Sequence, residues 1–185
     1  IEGDKNKFKK LIQTQLKYPN IISINKFVDH KKKSPNSLDK ILSKTKISKK
    51  FDILSIDIDS HDLAVWKSIK NYRPKIVIIE INSGILPGVE QIHTSTKIGN
   101  SFTSTTNFAK RIGYQLVCHT GNCIFIDKKY SKKIRIDKKY TNNKNLDLLF
   151  DYSWVNRKEF FLKKILKFLL PNKVIYYLRH VKNLI

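Results

Sequence analysis

Apolar positions recur along the chain first at helical spacing and then in short alternating or continuous runs. Residues 5–17 place Phe8, Leu11, Ile12 and Leu16 on one helical face, with Asp4 set to cap the helix and Pro19-Asn20 to break it. Ile1 and Glu2 read as the tail of a strand. Residues 21–28 alternate Ile, Ser, Ile and Asn and then read Phe-Val, which predicts a short strand. A basic loop over 31–35 leads to Ser37, a capping residue ahead of Leu38, Ile41 and Leu42. Residues 51–57 are an apolar run ending in acids, the pattern of a buried strand. Asp62 is placed to cap a helix carrying Leu63, Trp66 and Ile69. Pro74 closes the next loop, and 75–81 is the most strand-like stretch of the chain.

Beyond that strand, residues 83–101 hold turn-forming residues without a period, which predicts a long loop of the kind that often carries function. A helix is predicted over 105–112, with Gly113 ending it. Strands over 115–119 and 123–127 flank Thr120-Gly121-Asn122, a hairpin signal. Residues 128–145 are basic and weakly patterned. Helices follow over 155–170, ended by Pro171, and over 174–185. Strands alternating with helices predict an α/β fold with a mostly parallel sheet, a terminal antiparallel hairpin and C-terminal helices. The strands at 51–57 and 75–81 are expected side by side at its centre, parallel and covered on both faces.

Composition narrows the function classes. With 185 residues, 41% of them hydrophobic, the chain can bury a core as one domain. No apolar run approaches the ~20 residues of a membrane span, and the first residues form no secretory signal. Cys118 and Cys123 are too few for a disulfide framework or a four-cysteine metal site. A reducing, cytoplasmic compartment is expected. The absence of Met suggests a processed or truncated piece. The charge of +22 arises from 37 basic against 15 acidic residues, but 32 of the basic ones are Lys and only 5 are Arg. Abundant Lys, Ile and Asn are what an AT-rich coding sequence yields, and nucleic-acid sites usually need Arg for bidentate contacts. Solvated lysines are therefore the adopted reading, with a nucleic-acid site as the alternative.

Four stretches carry a family likeness: IEGDKNKFKKL (1–11), FDILSIDIDSHDLAVWKSI (51–69), RPKIVIIEIN (73–82) and FAKRIGYQLVCHTGNCIFID (108–127). They resemble the Rossmann-like class I S-adenosylmethionine (SAM)-dependent methyltransferases of the FkbM type. The most specific feature is the order strand, acidic cluster, helix with Trp, then Pro and a strand ending Glu-x-Asn. The resemblance implies a methyltransferase-like α/β domain over 1–127. Residues 128–185, a basic linker and amphipathic helices, have no counterpart. That family binds SAM with a Gly-rich turn after its first strand. None of Gly3, Gly84, Gly88, Gly99, Gly113 and Gly121 forms a G-x-G after an early strand. Because Glu2 matches the acid ending the family's second strand, the resemblance implies that the first strand and its turn belong just upstream of Glu2, and either they are missing from this piece or the protein lacks them.

The resemblance places Glu2 on the SAM ribose hydroxyls and Asp29 near the adenine amino group. Asp57, Asp59 and Asp62 form the densest acidic cluster of a chain poor in acids. Asp57 and Asp59 are expected on one face at a strand's C-terminal end, where ligands sit in open α/β sheets. His61 lies in the same turn and titrates near neutrality. Asp57, Asp59 and His61 are thus the candidate catalytic groups, orienting or deprotonating an acceptor hydroxyl. Glu80 and Asn82 end the next strand and are expected to flank the substrate pocket. No metal site is assigned, although a metal at the acids is compatible with the chemistry. Cys118, His119 and Cys123 are read as packed residues. The expected activity is O-methylation of a small-molecule, sugar or glycan-like hydroxyl with SAM as cofactor. The alternatives are a non-catalytic nucleic-acid-binding module and a metal-dependent glycosyltransferase using Asp57-Ile58-Asp59 as a D-x-D. The cationic C-terminal helices would either touch an anionic membrane surface or pack on the domain, and packing is the adopted reading.

Overall fold

A computed structural model describes residues 1–134 and 143–155. Helix α1, Lys5–Lys17, starts where expected because the Asp4 carboxylate accepts the backbone N–H groups of Asn6 and Lys7, both at 2.8 Å. Its apolar stripe is only partly covered: no residue of α1 is fully buried and Leu16 is 79% exposed. Helix α2, Leu38–Leu42, buries Leu38, Ile41 and Leu42. Ser37 occupies its N-cap position without a capping bond, and the buried hydroxyl has no hydrogen-bond partner. Strand β1 (Ile53–Ile56), helix α3 (Asp62–Ser68), strand β2 (Ile76–Glu80), helix α4 (Phe102–Arg111) and the hairpin of β3 (Tyr114–Thr120) and β4 (Asn122–Asp127) follow in order. Helix α4 begins earlier than predicted because Ser101 caps it, accepting the Ser104 N–H at 3.1 Å.

The sheet has four strands in the order β1-β2-β4-β3. Only β1 and β2 run parallel; β4 is antiparallel to both β2 and β3. The sheet is therefore mixed rather than mostly parallel. The reason is that the hairpin folds back so that its second strand, not its first, docks against β2. The predicted strand at 21–28 is reduced to isolated parallel bridges, Glu2 with Asn25 and Asp29 with Ser37. The parallel pair is present as expected, but β1 forms an edge of this sheet and Ile53 is 56% exposed. Strand β2 lies inside, with Val77 and Ile79 fully buried.

The core sits under β2 and β4. Trp66 of α3 packs edge-on against Phe108 and Tyr114 and tilted against Phe125, with ring centroids 5.2–5.5 Å apart. Each such buried side chain contributes about 1.5–3 kcal/mol of transfer free energy. Arg73 holds the lower end of the sheet through a 2.6 Å bond from Nε to Asp127, and the Tyr114 hydroxyl donates to the Pro74 carbonyl at 2.5 Å. Phe150 and Val155 join the same core as the strands. The helices predicted over 155–170 and 174–185 lie, apart from Val155, outside the described residues. Among the described residues no helix is long and apolar enough to cross a membrane.

Candidate functional site

Strands β1 and β2 stop at the same side of the sheet. Their register pairs Ile56 with Ile79, so Asp57 comes opposite Glu80 at the next step. The chain then turns sharply through Asp59 (φ 56°) and Ser60 (φ 137°), both at positive φ without being glycine. Such backbone costs about 1–3 kcal/mol per residue and persists only where its surroundings hold it. Asp62 supplies that hold. It is 2% exposed, and its carboxylate accepts the N–H of Ile58 at 2.9 Å and of Ser60 at 3.0 Å. Asn100, also 2% exposed, donates from Nδ2 to the Ser60 carbonyl at 2.9 Å. Asp62 is therefore not the helix cap expected from sequence. His61 takes the N-cap position, without a side-chain capping bond, and Asp62 as the first helical residue braces the turn instead. Asp59 likewise lies in this turn and not on the strand. The turn, rather than strand alternation, is what brings its carboxylate toward that of Asp57.

Carboxylate oxygens of Asp57, Asp59 and Glu80 lie within 4.8 Å of one another. Like charges this close raise the cost of ionising the last of them. Burial first, then the charges of Asp57, Asp62 and Asp59 and a hydrogen bond with Asp57, push the Glu80 carboxyl above the usual range. Glu80 thus holds a proton more readily than an ordinary carboxyl does. Among the described residues these three are the acidic group spaced to hold a metal ion, with hard oxygen ligands of the kind Mg²⁺ prefers.

Asp59 and Glu80 open onto a cleft of about 510 Å³, walled by Asn82, Ser83, Asn100, Asn122 and Trp154 among others. Its rim is the long loop predicted over 83–101. Asn82 organises this loop: its Nδ2 donates to the Ile98 carbonyl at 2.9 Å, and its Oδ1 accepts the Gly84 N–H at 3.1 Å. Asn82, expected to flank the substrate pocket, thus lines the cleft with its amide bonded within the loop. Gly99 (φ 75°) fits here because a Cβ would come within 2.9 Å of that of Asn82. Behind the cleft, the buried Ser83 hydroxyl donates to the Gly121 carbonyl at 2.8 Å and lies 2.8 Å from His119 Nε2. His119 Nδ1 accepts the Asp151 N–H at 3.0 Å, so these partners assign the Nε2–H tautomer, with His119 donating to Ser83. Burial holds His119 below the usual histidine range, in keeping with that neutral form. Cys123 is buried and Cys118 half-buried; both thiols are free and pushed up, chiefly by burial.

His61 lies beside the cleft rather than among its lining. Its ring stacks on His30 at 4.7 Å and meets His93 edge-on at 4.5 Å. Burial, then the charges that His93 and His30 would carry, keep it below the usual range and so neutral at pH 7. The stack also brings the Asp29-His30 loop against the turn. Asp29 accepts the Lys31 N–H at 2.9 Å, and that bond and one from Ser34 hold its carboxyl low. Glu2 is not drawn into this cluster by any described contact. It sits by a separate depression of about 490 Å³ lined by Gly3, Asp4, Asn25, Lys26 and Phe27. Its Oε1 accepts the Asp4 N–H at 2.8 Å, which commits one oxygen to local backbone. As acceptors, Glu2 and Asp29 suit a ribose diol and an amino group. Gly3, packed against the Phe27 ring, is no substitute for a Gly-rich turn.

Sequence patterns alone passed over Asn100, His93, Ser83 and Trp154. The signal for the first three was the turn-rich loop itself; Trp154 stood between the weakly patterned 128–145 and the helix predicted from 155, with none. Residues 2–116, more than half of the chain, match the methyltransferase FkbM domain, a span that contains Glu2, Asp29, Asp57, Asp59, His61, Glu80 and Asn82. No curated protein and no solved structure matches the chain. With the acid-ended parallel strands, the braced turn between them and the reversed hairpin at the sheet's far edge, this match means that the chain belongs to the FkbM methyltransferase family.

Proposed function

We propose that the protein O-methylates a hydroxyl of a sugar or glycan-like acceptor in the cleft beneath Asp59 and Glu80. Family membership implies SAM-dependent methylation, and the observation that supports the hydroxyl acceptor is the convergence of three carboxylates, two of which, Asp59 and the raised Glu80, line the cleft. SAM supplies an electrophilic methyl group when bound. Glu2 and Asp29 are the residues that would hold it, by accepting hydrogen bonds from the ribose and adenine. Asp59 accepts a hydrogen bond from the acceptor hydroxyl and aims its oxygen lone pair along the line of attack. As the oxygen formed its bond to the methyl carbon, the methyl–sulfur bond would break, leaving S-adenosylhomocysteine as a neutral thioether, and the hydroxyl proton would pass to the Glu80 carboxylate, whose hold on a proton is raised by burial and the neighbouring acids. His61, stacked outside the cleft lining, keeps the turn in place in this scheme.

The test is SAM calorimetry on the complete protein, followed by methyl transfer to a panel of methyl glycosides. Glu80→Gln, Asp57→Asn and Asp59→Asn should keep wild-type melting behaviour and SAM affinity while turnover falls roughly 10²–10⁴-fold for the residue acting as base. Wild-type protein that neither binds SAM nor transfers methyl groups would overturn the proposal. Full turnover in all these variants would remove the acids from the mechanism.

A further inference from the structure

Trp154 lines the acidic cleft, far in sequence from Asp59 and Glu80, which line it too. The indole is 55% exposed, although Phe150 and Val155 on either side of it are 4% and 3% exposed. The chain therefore anchors both flanks in the core and leaves the large apolar ring between them in water. Its position is closely determined. Phe150 stacks flat on His119 at 4.5 Å, and the Asp151 N–H donates to His119 Nδ1 at 3.0 Å. The Asp151 carboxylate accepts the Ser153 N–H at 3.0 Å, closing the short turn Tyr152–Trp154. Gly121, at the hairpin apex with φ 89°, lets the indole lie against the backbone: a Cβ there would meet Trp154 Cζ2 at 2.7 Å. An exposed aromatic ring held this firmly has already lost the freedom that binding would otherwise remove.

We infer that Trp154 is the stacking wall of the acceptor site and takes the C–H face of a pyranose ring whose hydroxyls reach Asp59 and Glu80. The inference rests on the hydroxyl-acceptor reading above and names the shape of the acceptor. A pyranose has an apolar face of polarised C–H groups and an edge of hydroxyls. An indole face carries the negative side of its quadrupole and attracts the first; carboxylates accept hydrogen bonds from the second. The cleft offers both, for Asp59, Glu80, Asn122 and Trp154 all line it. Trp154 also lies outside the 2–116 span shared with the family, so it belongs to this chain's own choice of acceptor rather than to methyl transfer in general.

The complete protein, with Trp154→Ala and Trp154→Phe, should be titrated with methyl β-D-glucopyranoside, methyl β-D-galactopyranoside and methyl α-L-rhamnopyranoside. Binding is read by saturation-transfer NMR and by tryptophan emission, to which the 3%-exposed Trp66 contributes a buried background. At least one glycoside should bind wild type in the millimolar range and shift its emission. Trp154→Ala should weaken that binding about tenfold and Trp154→Phe by much less, the step expected for losing and partly keeping an aromatic contact. SAM affinity, measured in parallel, should be equal in all three proteins. Glycoside binding that is as strong in Trp154→Ala as in wild type overturns the inference. So does wild type that binds SAM but none of the glycosides, and that result leaves methyl transfer standing. Trp154-dependent glycoside binding without any SAM binding upholds the stacking wall and overturns the methyltransferase reading.

Discussion

Removing the Asp62 carboxylate should loosen the turn that carries the candidate acids. Two backbone N–H groups, of Ile58 and Ser60, donate to it from a turn with positive φ at Asp59 and Ser60. Hydrogen bonds to a charged group contribute about 1.5–3 kcal/mol each, so the gross hold is roughly 3–6 kcal/mol. Burial opposes it, for desolvation outweighs the backbone bonds and raises the carboxyl above its usual range. The net cost of Asp62→Ala is then about 2–4 kcal/mol, and that of Asp62→Asn, which keeps one acceptor and sheds the charge, about 1–2 kcal/mol. For a chain of 185 residues this lowers Tm by roughly 5–15 °C in the alanine variant. The pH dependence has a defined sign. A carboxyl with a raised folded-state pKa favours the folded state most below its unfolded pKa, and that favour is lost as pH rises through the folded value. The gap between wild type and Asp62→Asn should therefore narrow as pH rises. Thermal and urea melts of the three proteins across pH measure this. An alanine variant with the wild-type midpoint and m-value would refute the bracing role.

Gly121→Ala should cost about 1–3 kcal/mol in urea unfolding, from positive φ and from collision with Trp154, and should also blue- or red-shift the Trp154 emission as the indole is displaced. An unchanged melt and spectrum would show that the indole does not rest there. Arg73→Ala leaves the Asp127 carboxylate, whose side chain is 4% exposed, without its 2.6 Å partner and should cost about 1–3 kcal/mol at pH 7. Burial pulls that carboxyl up, but the Arg73 bond and the Lys129 amide together hold it low. The stabilisation is present above the unfolded carboxyl pKa and lost as pH falls through the folded value, so variant and wild type should converge in acid melts.

Local physics was legible in the residues alone. Asp4 before an apolar period caps α1 because a short carboxylate reaches the amides two and three residues on. Apolar runs ending in acids became β1 and β2, and Thr120-Gly121-Asn122 became a hairpin apex because Gly121 reaches positive φ freely. Acids at neighbouring strand ends were expected together, and Asp57, Asp59 and Glu80 do converge. Strand order was not legible, since alternation tells which face a residue takes but not which strand lies beside it. Thus the antiparallel β4 between β2 and β3 made a mixed sheet where a mostly parallel one was expected. The role of Asp62 was misread for a related reason: capping is a local habit of Asp, whereas bracing Ile58 and Ser60 depends on the path of a turn with unusual φ. That the Glu80 carboxyl is pushed up followed from its being half-buried among other acids. That Trp154 walls the cleft was set by Phe150 and His119 meeting across more than thirty residues of sequence, a contact that only the packed chain creates.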